Sequence, residues 1–122
     1  MKFYVCAHCG NIIAYAEDKG VPVSCCGETM QELVPNTKEA SVEKHLPVIE
    51  QAGNVVTVKI GSAPHPMVPE HYIGWVALET KQGNQRKPLP LDGAPEIQFA
   101  LTQSDEVVAA YAWCNLHGLW KA

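Results

Sequence analysis

A chain of 122 residues, 47% hydrophobic and 18% charged, is too apolar for a disordered tail and holds one ordinary domain or two small ones. Its net charge of −4, with no run of lysine or arginine, lacks the footprint that attracts a phosphate backbone, so no nucleic-acid partner is expected. The start, MKFYVCAHC, lacks the apolar stretch of a secretory signal and no later run reaches transmembrane length, so we expect a soluble cytoplasmic protein without membrane contact.

In chain order, residues 1–37 come first. They hold four cysteines, few large apolar side chains, and turn signals at Lys19-Gly20, Gly27 and Pro35-Asn36. A segment this short cannot bury enough surface to fold unaided and needs a metal or disulfides. In a reducing cytosol the cysteines are better metal ligands than disulfide partners, and the odd total of five agrees. Cys6 and Cys9 form a Cys-x-x-Cys pair, followed after fifteen residues by adjacent Cys25 and Cys26. Four thiolates suit a tetrahedral ion, and both zinc and iron accept them; the spacing does not choose between the two. The adjacent pair is unusual, because neighbouring side chains in a strand point to opposite faces. Convergence on one ion requires a local turn, which Gly27 makes available. His8, inside the first loop, reads as a surface residue.

The boundary falls near Pro35–Ser41, and residues 38–122 show period-two alternation in short runs, the mark of half-buried strands. "NVVTVKIG" puts Val56, Val58 and Ile60 on one face. "YIGWVALET" sets Ile73, Trp75 and Ala77 against Tyr72, Gly74, Val76 and Leu78. "EIQFALT" groups Ile97, Phe99 and Leu101, and "EVVAAYAWC" runs into Cys114. Turns are expected at Gly83-Asn84 and Asp92-Gly93, while Pro88 and Pro90 fit an edge strand or loop. These signals predict an all-β fold: a small metal-stapled N-terminal β module (1–37), then an antiparallel β-sandwich (38–122).

Four histidines beyond His8 sit in distinctive contexts: "EKHLP" at His45, "PHPMVPEH" at His65 and His71, and "CNLHG" at His117. All four are expected at strand ends or loops, where distant segments converge on one edge of a sandwich. Adding Cys114 makes four nitrogens and one thiolate. Five protein ligands exceed what a structural zinc takes and leave an octahedral iron one open position, where a small anion can bind. Cys114, which has no nearby cysteine to pair with, reads as a ligand.

At these residues the chain resembles a known family. "CAHCGNII" and "CCGETM" are similar to the N-terminal, desulforedoxin-like module of desulfoferrodoxin. "EKHLP", "HPMVPEHYIGW" and "CNLHGLW" resemble its superoxide reductase, or neelaredoxin-type, catalytic domain. The resemblance spans essentially the whole chain. It implies two irons per chain: one distorted tetrahedral on Cys6, Cys9, Cys25 and Cys26, and one with His45, His65, His71 and His117 in a plane and Cys114 axial. It implies an immunoglobulin-like sandwich, a homodimer, and one-electron reduction of superoxide to hydrogen peroxide. Re-reduction would come from a rubredoxin-like electron donor. It further implies that Lys44 attracts superoxide and that Glu43 is the carboxylate able to occupy the sixth position of the oxidised iron. Two rival readings stand beside it: a zinc-stapled adaptor with an interaction domain, and an electron carrier with no open coordination position.

Overall fold

The computed structural model describes all 122 residues, which divide into two compact units, Met1–Val34 and Pro35–Ala122. The first unit contains strands β1 (Tyr4–Val5), β2 (Ile12–Ile13), β3 (Ser24–Cys25), β4 (Glu28–Thr29) and β5 (Gln31–Glu32). They pair as β2-β1-β5 and as a β3-β4 hairpin. Its buried apolar side chains are Phe3, Cys6 and Met30. Three such residues are far too little core for an independent fold, so the cysteines must carry what burial does not.

The second unit opens with a one-turn helix α1 (Val42–His45), followed by β6 (Pro47–Ala52), β7 (Val55–Ile60), β8 (Ile73–Thr80), β9 (Gly83–Pro88), β10 (Glu96–Ala100), β11 (Val107–Cys114) and β12 (Gly118–Lys121). Two sheets result, ordered β10-β7-β6 and β12-β11-β8-β9, with every pairing antiparallel. Val56, Val58, Ile60 and Phe99 of the first sheet share one core cluster with Ile73, Val76, Leu78, Ala110, Ala112 and Cys114 of the second. That shared core defines a sandwich, and each fully buried aliphatic contributes roughly 1.5–3 kcal/mol. The chain therefore has the expected all-β fold, a cysteine-bearing β module followed by an immunoglobulin-like antiparallel sandwich.

The alternation read from the sequence holds for β7, where Val56, Val58 and Ile60 are all buried, and for Phe99 and Leu101. It fails along β8. The core side chains there are Ile73, Val76 and Leu78, which no strict period of two can place together. The pairing explains why: Trp113 opposes Trp75 and Cys114 opposes Ile73, so Gly74 is the extra residue of a bulge that inverts the parity. A Cβ on Gly74 would lie 2.8 Å from the Trp113 ring, and Trp113 in turn stacks on Trp75 with an interplanar angle of 6°. The expected Gly83-Asn84 turn is also displaced. Thr80 pairs with Gly83, so Lys81 and Gln82 form the two-residue loop, and Gly83 and Asn84 begin β9. Pro88 ends that strand at the sheet edge, as expected.

Candidate metal centres

In the small unit, the backbone of the Cys6–Asn11 loop folds over its own sulfurs. Cys6 N–H donates to Asn11 O at 2.9 Å and Gly10 N–H to Cys6 O at 3.1 Å. Cys9 N–H then points at Cys6 Sγ and Asn11 N–H at Cys9 Sγ, each at 3.5 Å. Across from it, Cys26 (φ 51°) and Gly27 (φ 79°) both adopt left-handed backbone between paired Cys25 and Glu28. Two consecutive positive φ values make a type I′ hairpin turn, and this turn brings the adjacent cysteines to one side. The sulfurs of Cys6, Cys9, Cys25 and Cys26 lie within 4.8 Å of one another. Backbone N–H groups of Cys9 and His8 pull the Cys6 thiol down to about 6, whereas contact with the Cys9 and Cys6 sulfurs pushes Cys26 up to about 12 and raises Cys25. Four thiols this close cannot all ionise alone; a cation that takes thiolates is what would deprotonate them together. His8 is an exposed residue paired with Glu28 at 3.0 Å.

In the second unit, the residues singled out at His45, His65, His71, Cys114 and His117 meet at one end of the sandwich. His45 is the last residue of α1 rather than a strand end or loop residue. This is a correction to the expectation: the turn of helix is needed to direct a buried imidazole inward before β6. His65 lies in the loop after β7, His71 two residues before β8, and Cys114 and His117 flank the β11–β12 turn. Ring centroids of neighbours are 4.7 Å apart for His45–His65, 4.5 Å for His65–His71, 5.0 Å for His71–His117 and 4.9 Å for His117–His45, with interplanar angles of 77–88°. The His45–His71 pair is longer, 6.1 Å. Four rings with short edges and a longer diagonal form a square, His45 opposite His71 and His65 opposite His117. Cys114 Sγ lies 3.9 Å from His117 Nδ1, and the donor atoms of His45, His65, His71 and Cys114 all fall within 4.8 Å of one another.

The ring nitrogens test whether this square fits a metal. His45 Nδ1 is 2.7 Å from Ser41 O and His65 Nδ1 is 2.7 Å from Pro66 O. A carbonyl only accepts, so both Nδ1 atoms carry the proton and both Nε2 atoms present lone pairs. Those lone pairs face each other at 3.2 Å, and His117 Nδ1 faces His45 Nε2 at 3.1 Å. The His71 Nε2 is buried with no hydrogen-bond partner. Opposed lone pairs and a buried orphan are costly unless a cation lies among them. A square with edges of 3.1–3.2 Å has a half-diagonal of about 2.2 Å, near the roughly 2.0–2.1 Å of a zinc–imidazole bond. Burial pushes His65 down to about 4 and lowers His45 and His71, so these three imidazoles are neutral at pH 7; burial raises the Cys114 thiol. Iron in each centre, one on four thiolates and one on four imidazoles plus a thiolate, fits these donor sets.

Glu43 and Lys44 are exposed on α1 beside His45. The Lys44 ammonium is near enough to add, after burial and the neighbouring histidines, to the lowering of His71. Trp120, which the sequence reading did not single out, stacks on the His45 ring at 4.9 Å and donates from Nε1 to His117 O at 3.1 Å. Its place beside "CNLH" was the only signal for it.

The family model described as Desulfoferrodoxin matches residues 37–122. Desulfoferrodoxin of Nitratidesulfovibrio vulgaris is 41% identical over 121 residues, covering 99% of this chain and 94% of that protein. Among solved structures, the superoxide reductase from Treponema pallidum is 45% identical, covers 98% of both chains and has a TM-score of 0.84. The one-iron superoxide reductase from Giardia intestinalis is 33% identical, covers 66% of this chain and 95% of its own, and has a TM-score of 0.55. On these matches and on the two donor sets above, this chain belongs to the desulfoferrodoxin family.

Proposed function

We propose that the chain is a superoxide reductase, an oxidoreductase that converts superoxide, one electron and two protons into hydrogen peroxide. The observation that carries this is the square of four imidazoles over one buried cysteine, with ring nitrogens 3.1–3.2 Å apart. Bound there, iron supplies a one-electron couple and a coordination position that five protein donors leave open. The imidazoles bring no charge of their own, so the centre stays positive toward an anion. Cys114 would hold that iron as a thiolate and would supply it with electron density.

The reading assigns Cys6, Cys9, Cys25 and Cys26 to the first iron, and His45, His65, His71, His117 and Cys114 to the second. Lys44 draws superoxide to the open side and stabilises the reduced anion while it is protonated. Glu43, its exposed neighbour on α1, is the carboxylate that would be available to the oxidised iron. Residues 1–37 form a desulforedoxin-like module and residues 38–122 the reductase domain. The electron donor is a rubredoxin-like carrier, the working form a homodimer, and the setting the cytoplasm; the chain has no helix long and apolar enough to cross a membrane.

The test is stoichiometry. Iron-loaded protein with reductant should yield one peroxide per superoxide consumed and no dioxygen. Dioxygen release with half a peroxide per superoxide would make the chain a dismutase and overturn the reading. An oxidised protein that binds neither azide nor cyanide would favour the electron carrier instead.

A further inference from the structure

His45 and His65 are each held by the ring nitrogen that faces away from the cluster, through Ser41 O and Pro66 O. His71 has no counterpart: its buried, unpartnered Nε2 belongs with the donor atoms of the cluster, and no backbone carbonyl holds the ring by its other nitrogen. What holds it is the backbone on either side. Val68 and His71 bridge each other, at 3.1 and 3.0 Å. From the other direction, one side chain grips both flanking residues. Asn115 Nδ2 donates to Glu70 O at 3.0 Å, Asn115 Oδ1 accepts from Tyr72 N–H at 2.9 Å, and Asn115 N–H donates to Tyr72 O at 3.2 Å. Partners 43 and 45 residues distant are thereby tied to the residue that follows Cys114.

We propose that Asn115 is a positioning residue that sets His71 against Cys114, substituting for the ring hydrogen bond that the other anchored imidazoles receive. This rests on the metal-centre reading above. The chemistry suits asparagine. The clamp needs an acceptor for one N–H and a donor for one carbonyl on a short side chain; aspartate offers only acceptors at neutral pH, and leucine offers neither. Because outer hydrogen bonds fix ligand direction, their loss at other metal sites weakens affinity 10–100-fold.

The experiment uses the full chain loaded with ferrous iron and challenged with a competing chelator. Iron per chain is counted, and the visible spectrum of the oxidised protein is recorded. Asn115→Leu should weaken iron retention at the histidine centre by roughly 10–100-fold and shift its thiolate-to-iron band, because Cys114 and His71 no longer hold a common geometry. Asn115→Asp, which keeps the acceptor, should fall between Leu and the parent. The four-cysteine centre of the same molecule is the internal reference, and its spectrum should not move. Parent-like retention and band position in both variants would overturn the proposal, as would loss of both centres together with a lowered unfolding temperature. A parent chain that never takes up the second iron would fail before any substitution and would overturn the metal-centre reading itself.

Discussion

At the scale of single residues, the second centre is a problem of unpaired lone pairs. His45 and His65 spend their protons on backbone carbonyls, which leaves each Nε2 able to bind a metal and little else. Burial then keeps the rings neutral, and this has a pH consequence for the metal-free chain. His65 has a folded value of about 4 against an ordinary 6.5, so between those values the unfolded chain binds more protons than the folded one. Folding stability must therefore fall as pH drops from about 6.5 toward 4. The unfolding temperature of metal-free protein should be lower at pH 5 than at pH 7, and a flat profile would contradict the buried neutral imidazole. Lys44 yields a second expectation. Lys44→Ala should slow the reaction with superoxide by about 10-fold at low salt and flatten its dependence on ionic strength, as stopped-flow or pulse kinetics across salt concentrations would read. An unchanged rate at every salt concentration would remove the steering role.

At the scale of elements, turns rather than strands bring donors together. The segment carrying Glu43, Lys44 and His45 is pressed against Gly61, where an added Cβ would meet Ala63 O at 2.3 Å, Lys44 O at 2.7 Å and Glu43 O at 2.8 Å. All three are backbone atoms, and the φ of +85° already disfavours a side chain. Gly61→Ala should push α1 off the β7 end, moving His45 out of the square. The expected outcome is loss of at least half of the iron at the histidine centre under the chelator challenge, with the four-cysteine spectrum retained. In the small unit, Cys26 accepts a left-handed φ of 51°, a conformation costing roughly 1–2 kcal/mol, and Gly27 makes the second positive φ without that cost. Motif spacing had called for a turn here. Its type became visible only with the register of β3 against β4.

For the whole molecule, the question is whether the two centres act together. Each unit is compact in its own right, yet the first has almost no apolar core and the second a continuous one. A staple role for the first iron predicts that Cys26→Ser lowers the stability of the N-terminal unit while the superoxide rate of the second unit stays within about twofold of the parent. A large loss of rate would mean that electrons pass through the first centre. Sedimentation of the iron-loaded chain would decide between the proposed dimer and a monomer.

Composition and motif spacing were enough to identify both donor sets, the all-β class and the turn at Gly27, because these depend on residue type and short-range chain geometry. The inward face of β7 was legible for the same reason: an unbroken strand repeats every two residues. The parity of β8 was not, since the bulge at Gly74 exists only through its pairing with β11 and the Trp113 ring lying over it. The same holds for the helical seat of His45, the stacking of Trp120 and the grip of Asn115 on the His71 segment. Each depends on contacts between residues tens of positions apart, and no local pattern encodes such contacts. Residue types name the atoms able to bind a metal, but directions come from packing alone, and it is packing that arranges four ring nitrogens as a square over Cys114.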